Sequence, residues 1–282
     1  MPVTTLTELL QNGVHFGHQT SRWNPKMRPY IFASRGGIHI LDVAQTVDLL
    51  EEACRFAHDT VAQGGQVLFV GTKKQAHDTI EEECGRSHQP YVINRWMGGM
   101  LTNFEVVKLQ LKRLAELSEQ KERDGFAGMI KKEQRHREDD LERLQRNFGG
   151  ITNMKRVPAA MFVVDPHKER LAMTEANKLD IPVIAITDSN CNPDEISHVI
   201  PGNDDAIRSV RLIVSRLTDA IVSGLDQRRQ IEVAQTQAAA EKAAQLRAVQ
   251  EAEAAAKAAA EAAAEPAADA EEGPVVEAGA AQ

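Results

Sequence analysis

The chain has 282 residues, 42% hydrophobic and 26% charged, a length that holds one large domain or two of ordinary size. Its three cysteines, Cys54, Cys84 and Cys191, lie far apart without C-x-x-C spacing, which fits a reducing cytoplasm better than a secreted disulfide framework. With 33 basic against 41 acidic residues the net charge is −8, a sign that by itself argues against a nucleic-acid binder.

The acid is unevenly spread, however. From Asp226 onward the charge is −6, leaving −2 for everything before it. Residues 1–41 carry Arg22, Lys26, Arg28 and Arg35 against Glu8 alone, and residues 86–113 carry Arg86, Arg95, Lys108, Lys112 and Arg113 against Glu105. Charges more than roughly 8–10 Å away are screened, so such patches bind phosphate inside an acidic whole. The opening MPVTTLTELLQNG has neither a basic start nor an apolar run, and no stretch reaches the roughly 20 apolar residues of a membrane span. A soluble, cytosolic protein is expected.

In chain order, residues 4–12 read as a short amphipathic helix closed by Asn12-Gly13. A loop dense in aromatics, histidines and bases runs from His15 to Arg35, and Tyr30–Leu41 resembles a β-hairpin broken at Gly36-Gly37. From Asp42 the apolar residues Val43, Val47, Leu50, Ala53, Cys54 and Ala57 recur at helical steps. Gln66–Val70 reads as a buried strand, Thr72 as the cap of a helix to about Cys84, and Tyr91–Ile93 as a short strand. Further strands are expected over Ala159–Val164, Ile181–Ile186 and Ile196–Ile200, with a helix over Lys168–Lys178. Asn203 or Asp204 caps a last helix. Short strands alternating with helices imply a parallel sheet covered on both faces.

Residues 104–148 break that rhythm. Two charged helices, about Phe104–Lys121 and Met129–Asn147, flank Arg123–Gly128, with Leu109, Leu111, Leu114 and Leu117 expected against Met129, Ile130, Leu141 and Leu144. So thin a stripe suits an antiparallel hairpin standing out from the sheet, its tip mobile or held by a partner. The expected organisation is therefore an α/β domain over 1–103 and 149–225, the hairpin over 104–148, and a tail over 226–282. The tail is Ala-rich, a solvated helix by propensity, and disordered from Pro266.

His15 and His18, three apart, lack a nearby third His or Cys, so no metal site is expected. As an RNA surface their neighbourhood makes more sense: Arg22, Lys26 and Arg28 meet phosphates while Trp23 stacks on bases or covers sugar. The other reading is a loop wrapped over the sheet with Trp23 buried. Asn94–Phe104 holds a glycine pair that permits close backbone approach, with Arg95 before it and Thr102 or Asn103 as a helix cap. Val70-Gly71-Thr72-Lys73-Lys74 resembles the end of a P-loop without its glycine-rich front, so Lys73 and Lys74 suit RNA phosphate better than a nucleotide. Asp165-Pro166-His167 and Thr187–Cys191 follow strands at the usual ligand edge, yet no nucleophile motif, carboxylate pair or metal triad accompanies them. No cofactor is expected.

The stretches GVHFGHQTSRWNPKMRPYIF, VLFVGTKKQA, NRWMGGMLTNF, PAAMFVVDPHKE, IPVIAITDSNCNP and IPGNDDA closely resemble the bacterial S-two family of small-subunit ribosomal proteins, sampling Leu6 to about Gly224. The resemblance implies a Rossmann- or flavodoxin-like sheet with a protruding coiled-coil hairpin, near the head–body junction of the small subunit. It also implies a non-catalytic role in translation: contact with ribosomal RNA, neighbouring small-subunit proteins, and recruitment of the messenger-binding protein S-one. On this sequence the expected phosphate or sugar contacts are Arg22, Trp23, Lys26, Arg28, Lys73, Lys74, Arg95 and Lys108. The Ala/Glu tail lies outside the family's pattern. Two rivals stand beside this reading: a Rossmann-like enzyme of nucleotide or sugar-phosphate metabolism, and an adaptor that binds proteins alone.

Overall fold

The computed structural model describes residues 4–263. Residues through Arg229 form one compact unit; a second, from Gln230, is helical through Ala263. The disorder expected from Pro266 lies outside the described residues.

The described residues hold eight strands and seven α-helices. They are α1 (Leu6–Gln11), β1 (Phe16–Gln19), β2 (Ile31–Arg35), β3 (Ile38–Leu41), α2 (Val43–Ala62), β4 (Val67–Val70), α3 (Lys74–Ser87) and β5 (Tyr91–Val92). Then come α4 (Phe104–Asp124), α5 (Lys131–Phe148), β6 (Ala160–Val164), α6 (Arg170–Lys178), β7 (Val183–Thr187), β8 (His198–Pro201) and α7 (Ile207–Ala263).

Five strands make a parallel sheet in the order β5-β4-β6-β7-β8. That is the flavodoxin-type order, whose direction reverses between β4 and β6. The residues of β4, β6 and β7 are buried throughout, the pattern of parallel strands covered on both faces. Their side chains alternate between two cores. Val67, Phe69, Phe162, Val164, Ile184 and Ile186 pack with α2, α3 and the first turns of α7. Leu68, Val70, Met161, Val163, Val183 and Ala185 pack with α6, the Trp96–Phe104 segment and the helical pair α4/α5.

The pair α4/α5 was expected to carry too thin a stripe for a core. Instead Val107, Leu114, Leu117, Leu141 and Leu144 continue the second core without a break. Leu109 and Ile130 take no part, at 64% and 72% exposed, while Leu111 and Met129 are partly buried. Phe126 in the connecting turn is 1% exposed and holds a left-handed φ of 62°, closing the tip from inside. Arg113 on α4 reaches Asp140 on α5 at 2.5 Å. At the base of α5, a Cβ on Gly150 would strike the Tyr91 carbonyl, so only glycine lets the chain return beside β5.

A separate three-stranded antiparallel sheet, β1-β3-β2, contains the expected hairpin and adds β1, in a stretch whose composition predicts a loop. Its Phe16–Gln19 shows no run of alternating apolar residues. Thr72 is not the cap of α3: that position is Lys73, and the Thr72 side chain turns to Glu169. Asp42 caps α2 and Asn203 accepts from the amides of Asp205 and Ala206, as their residue types suggest.

Candidate nucleic-acid interface

The C-terminal ends of the parallel strands converge on one edge, where ligands bind in sheets of this kind. Four segments meet there: Gly71–Lys73 after β4, Asp165 after β6, Asp188-Ser189 after β7, and Asn203–Asp205 after β8. Their side chains largely satisfy one another. Lys73 Nζ lies 3.3 Å from Asp165, 2.7 Å from Asp204 and 2.6 Å from Asp205, with the Lys73 side chain 12% exposed. Burial works against that ammonium, but the three carboxylates outweigh it and raise its pKa. Thr72 donates its amide to Glu169 at 3.0 Å. β1 lies across the same edge: the His18 amide donates to Asp188 Oδ1 and Ser189 Oγ, each at 3.0 Å. The switch-point crevice that an enzyme of this fold keeps open is here filled by an internal ion-pair cluster.

Within the cluster, His18 has its pKa raised by the adjacent Asp188 carboxylate, against its own burial. Asp204 is raised by burial and by its neighbours Asp165 and Asp188, in spite of Lys73. Burial likewise raises all three thiols, Cys54 to about 12 and Cys84 and Cys191 further, so none is a poised nucleophile.

Beside the cluster the surface opens into a groove of about 510 Å³, lined by Arg22, Trp23, Lys26, Pro166, His167, Arg170, Asn190 and Asn192 among others. The loop that forms its near wall is held at fixed points. Asn24 donates its amide to Ser189 O at 2.8 Å and accepts from the Lys26 amide at 3.1 Å, while Met27 is fully buried. Trp23 is 36% exposed and rests against His39 with ring centroids 5.3 Å apart. Trp23 is thus neither buried, as a pure wrapping loop requires, nor loose. Lys26 forms an exposed ion pair with Asp194, the kind whose net worth is small and which a phosphate displaces cheaply.

Of the eight residues singled out from sequence, Arg22, Trp23 and Lys26 come together in this groove. Arg28, Lys74, Arg95 and Lys108 are exposed but do not line it. Lys108 pairs with Glu105 at 2.8 Å and lies over the Phe104 ring. Lys73 is different, since its three carboxylates leave no charge for an external phosphate. His167 and Arg170 were missed as residues that line the groove with Trp23. Their signal was present, because both follow β6 at the sheet's ligand edge, but only the fold sets that turn beside residues 22–26. Among the described residues no helix is long and apolar enough to cross a membrane.

Comparison with known proteins agrees with this architecture. Residues 9–224 match the family model described as ribosomal protein S2. A protein of Roseiflexus castenholzii named small ribosomal subunit protein uS2 is 53% identical over 230 residues, 82% of this chain and 88% of that protein. Proteins of the same name from Sorangium cellulosum and from Roseiflexus sp. strain RS-1 are 53% and 51% identical, over 79% and 82% of this chain and 81% and 88% of theirs. That family consists of structural proteins, not enzymes. With the parallel sheet in flavodoxin order and a match that runs through nearly the whole first unit, this chain belongs to the ribosomal protein S2 family.

Proposed function

We propose that the chain, as a structural protein of the small ribosomal subunit, binds ribosomal RNA in the groove between Trp23 and Arg170. The observation that carries this reading is the groove's composition. Arg22 and Lys26, on a loop anchored by buried Met27, and Arg170 at the start of α6 supply positive charge, Trp23 supplies a half-exposed ring, and Asn190 and Asn192 after β7 supply amides. Cations beside an aromatic platform are what an unstacked nucleotide in single-stranded RNA needs. Exposed Arg28, Lys74, Arg95 and Lys108 extend the phosphate contacts; Lys73 instead holds the carboxylates beneath. The chain works at the head–body junction beside neighbouring small-subunit proteins, and the helical pair α4/α5 helps to recruit S-one, as the resemblance implies. Its place is the cytoplasmic ribosome.

The test is co-sedimentation with small subunits lacking this protein, measured across a salt series. Alanine at Arg22, Lys26 and Arg170 together is expected to weaken incorporation and flatten its salt dependence. Unchanged incorporation and slope would remove the groove from the interface. Saturable binding of a free nucleotide would favour the enzyme reading instead.

A further inference from the structure

We infer that a second pocket, on the far side of Lys26 from the groove, takes one guanine base of the bound RNA strand. This rests on the groove reading above and adds a base-selective site to it. The pocket has a volume of about 340 Å³ and is lined by Pro29, Tyr30, Glu52, Pro193 and His198 among others. Lys26 lines both cavities, and the turn opposite it is shared: Asn192 and Glu195 face the groove, Pro193 and Asp194 the pocket. The Lys26–Asp194 ion pair is therefore the ridge between them. A backbone phosphate that takes Lys26 from Asp194 sits on that ridge, and the next nucleotide along the strand falls to the pocket.

The chemistry of the pocket suits a base and not a phosphate. Apart from Lys26 its charged lining is acidic, Glu52 and Asp194. Tyr30, His198 and the two proline rings offer flat faces of the kind on which unstacked bases rest. His198 is held in place by Phe56, stacked on it with ring centroids 4.3 Å apart. Burial lowers the His198 pKa, in spite of Glu52, so the ring is neutral near pH 7 and adds no pull on phosphate. The pocket also meets β8, an edge strand of the parallel sheet. The Ser197 amide donates to the Val183 carbonyl at 3.0 Å, so strand alternation turns the amide and carbonyl of His198 away from β7, to the outer side.

Glu52 selects the base. Its carboxylate approaches His198 Nδ1 only to 3.6 Å, beyond hydrogen-bond range, and its side chain is 58% exposed, so both oxygens can accept. Guanine presents two parallel donors on its Watson–Crick edge, N1–H and the exocyclic amine, which match the two oxygens of one carboxylate. Uracil presents a single donor between two acceptors, and its carbonyls would face the charge. The walls are set before any ligand arrives. Gln45 donates to the Pro29 carbonyl at 3.1 Å, the Asp42 amide to the Tyr30 carbonyl at 2.9 Å, and Asn177 to the Glu195 carbonyl at 3.2 Å. Little ordering cost is left to binding.

The experiment measures fluorescence anisotropy of labelled single-stranded RNA hexamers with the full-length chain: all-uridine, the same with one central guanosine, and the same with inosine in that place. The guanosine oligomer is expected to bind about tenfold tighter than the all-uridine one. Inosine keeps the Hoogsteen edge but lacks the exocyclic amine, and should lose most of that gain. E52Q, which sets an amide donor against a donor, should abolish the preference, with circular dichroism confirming that it folds. W23A should weaken all three oligomers by the same factor and leave their ratios intact. Equal binding of the guanosine and uridine oligomers overturns the pocket while leaving the groove in place. Full preference in E52Q overturns it as well, and so does full preference with inosine, which would point to an arginine reading the Hoogsteen edge. Binding of none of the oligomers sinks the groove reading, and the pocket with it.

Discussion

The Glu175 carboxylate on α6 accepts the Trp96 indole N–H at 3.0 Å, and this single contact begins a set of five. The amides of Gly99, Leu101 and Thr102 and the Thr102 hydroxyl donate to the same carboxylate at 2.8–3.2 Å. A glycine-rich segment with few regular hydrogen bonds of its own is thereby folded around one anion, and it leads directly into α4. Burial raises the carboxyl's pKa, but the Trp96 indole and the three amides outweigh it and hold the value below the ordinary carboxylate range.

Replacing Glu175 with Gln turns one acceptor into a donor facing donors. The expected cost is about 2–4 kcal/mol in urea unfolding, the scale of hydrogen bonds to a charged group left unmade. The pH dependence has a fixed sign. Because the folded pKa is depressed, the contribution is fully present above the unfolded carboxyl value and fades as pH falls through the folded one. The gap between wild type and E175Q should therefore narrow in acid. A gap independent of pH would show that the charge is not the source.

Trp23→Ala is expected to weaken RNA binding by about 1–3 kcal/mol, the range for one base stacked on an aromatic side chain, and Trp23→Phe by less. Neither change should alter the salt slope, because no charge is lost. R170A should lower that slope by roughly 0.7–0.9 per phosphate contact removed. Binding isotherms at several salt concentrations separate the two outcomes.

Lys73→Met should leave RNA binding and its salt slope unchanged while destabilising the fold. It strips the cation from Asp165, Asp204 and Asp205, and breaking such a buried pair costs about 3–5 kcal/mol. A reduced salt slope with unchanged stability would return Lys73 to the interface. Asp140→Asn removes exposed pairs to Arg113 and Arg143, and the expected loss there is below about 1 kcal/mol.

Phe126→Ala opens the end of the α4/α5 pair, for Phe126 is among the largest fully buried side chains. A phenylalanine-to-alanine cavity costs about 3–5 kcal/mol when the site cannot collapse. The effect should be local: faster amide exchange and tryptic cleavage around Arg123 and Lys131, with β4, β6 and β7 still protected. Uniform loss of protection across the sheet would mean that the pair and the body unfold as one.

Much of this molecule was legible along the chain. Runs such as Val67–Val70 and Val183–Thr187 declare buried parallel strands because every residue is apolar or nearly so, and helical periodicity from Val43 marks α2. Local patterns of this kind depend on neighbours a few residues away, so one sequence carries them. Their ends were off by a residue or two, since hydrogen bonding and not composition decides where a strand stops.

The sheet edge was a different matter. Nothing near Lys73 in sequence announces Asp165, Asp204 and Asp205, and nothing near His18 announces Asp188. Those partners meet because parallel strands bring all their C-terminal turns to one edge, whatever their separation along the chain. Charge type can be read residue by residue; whether a charge is free for a ligand or already neutralised is a property of distances, and those exist only once the chain has folded.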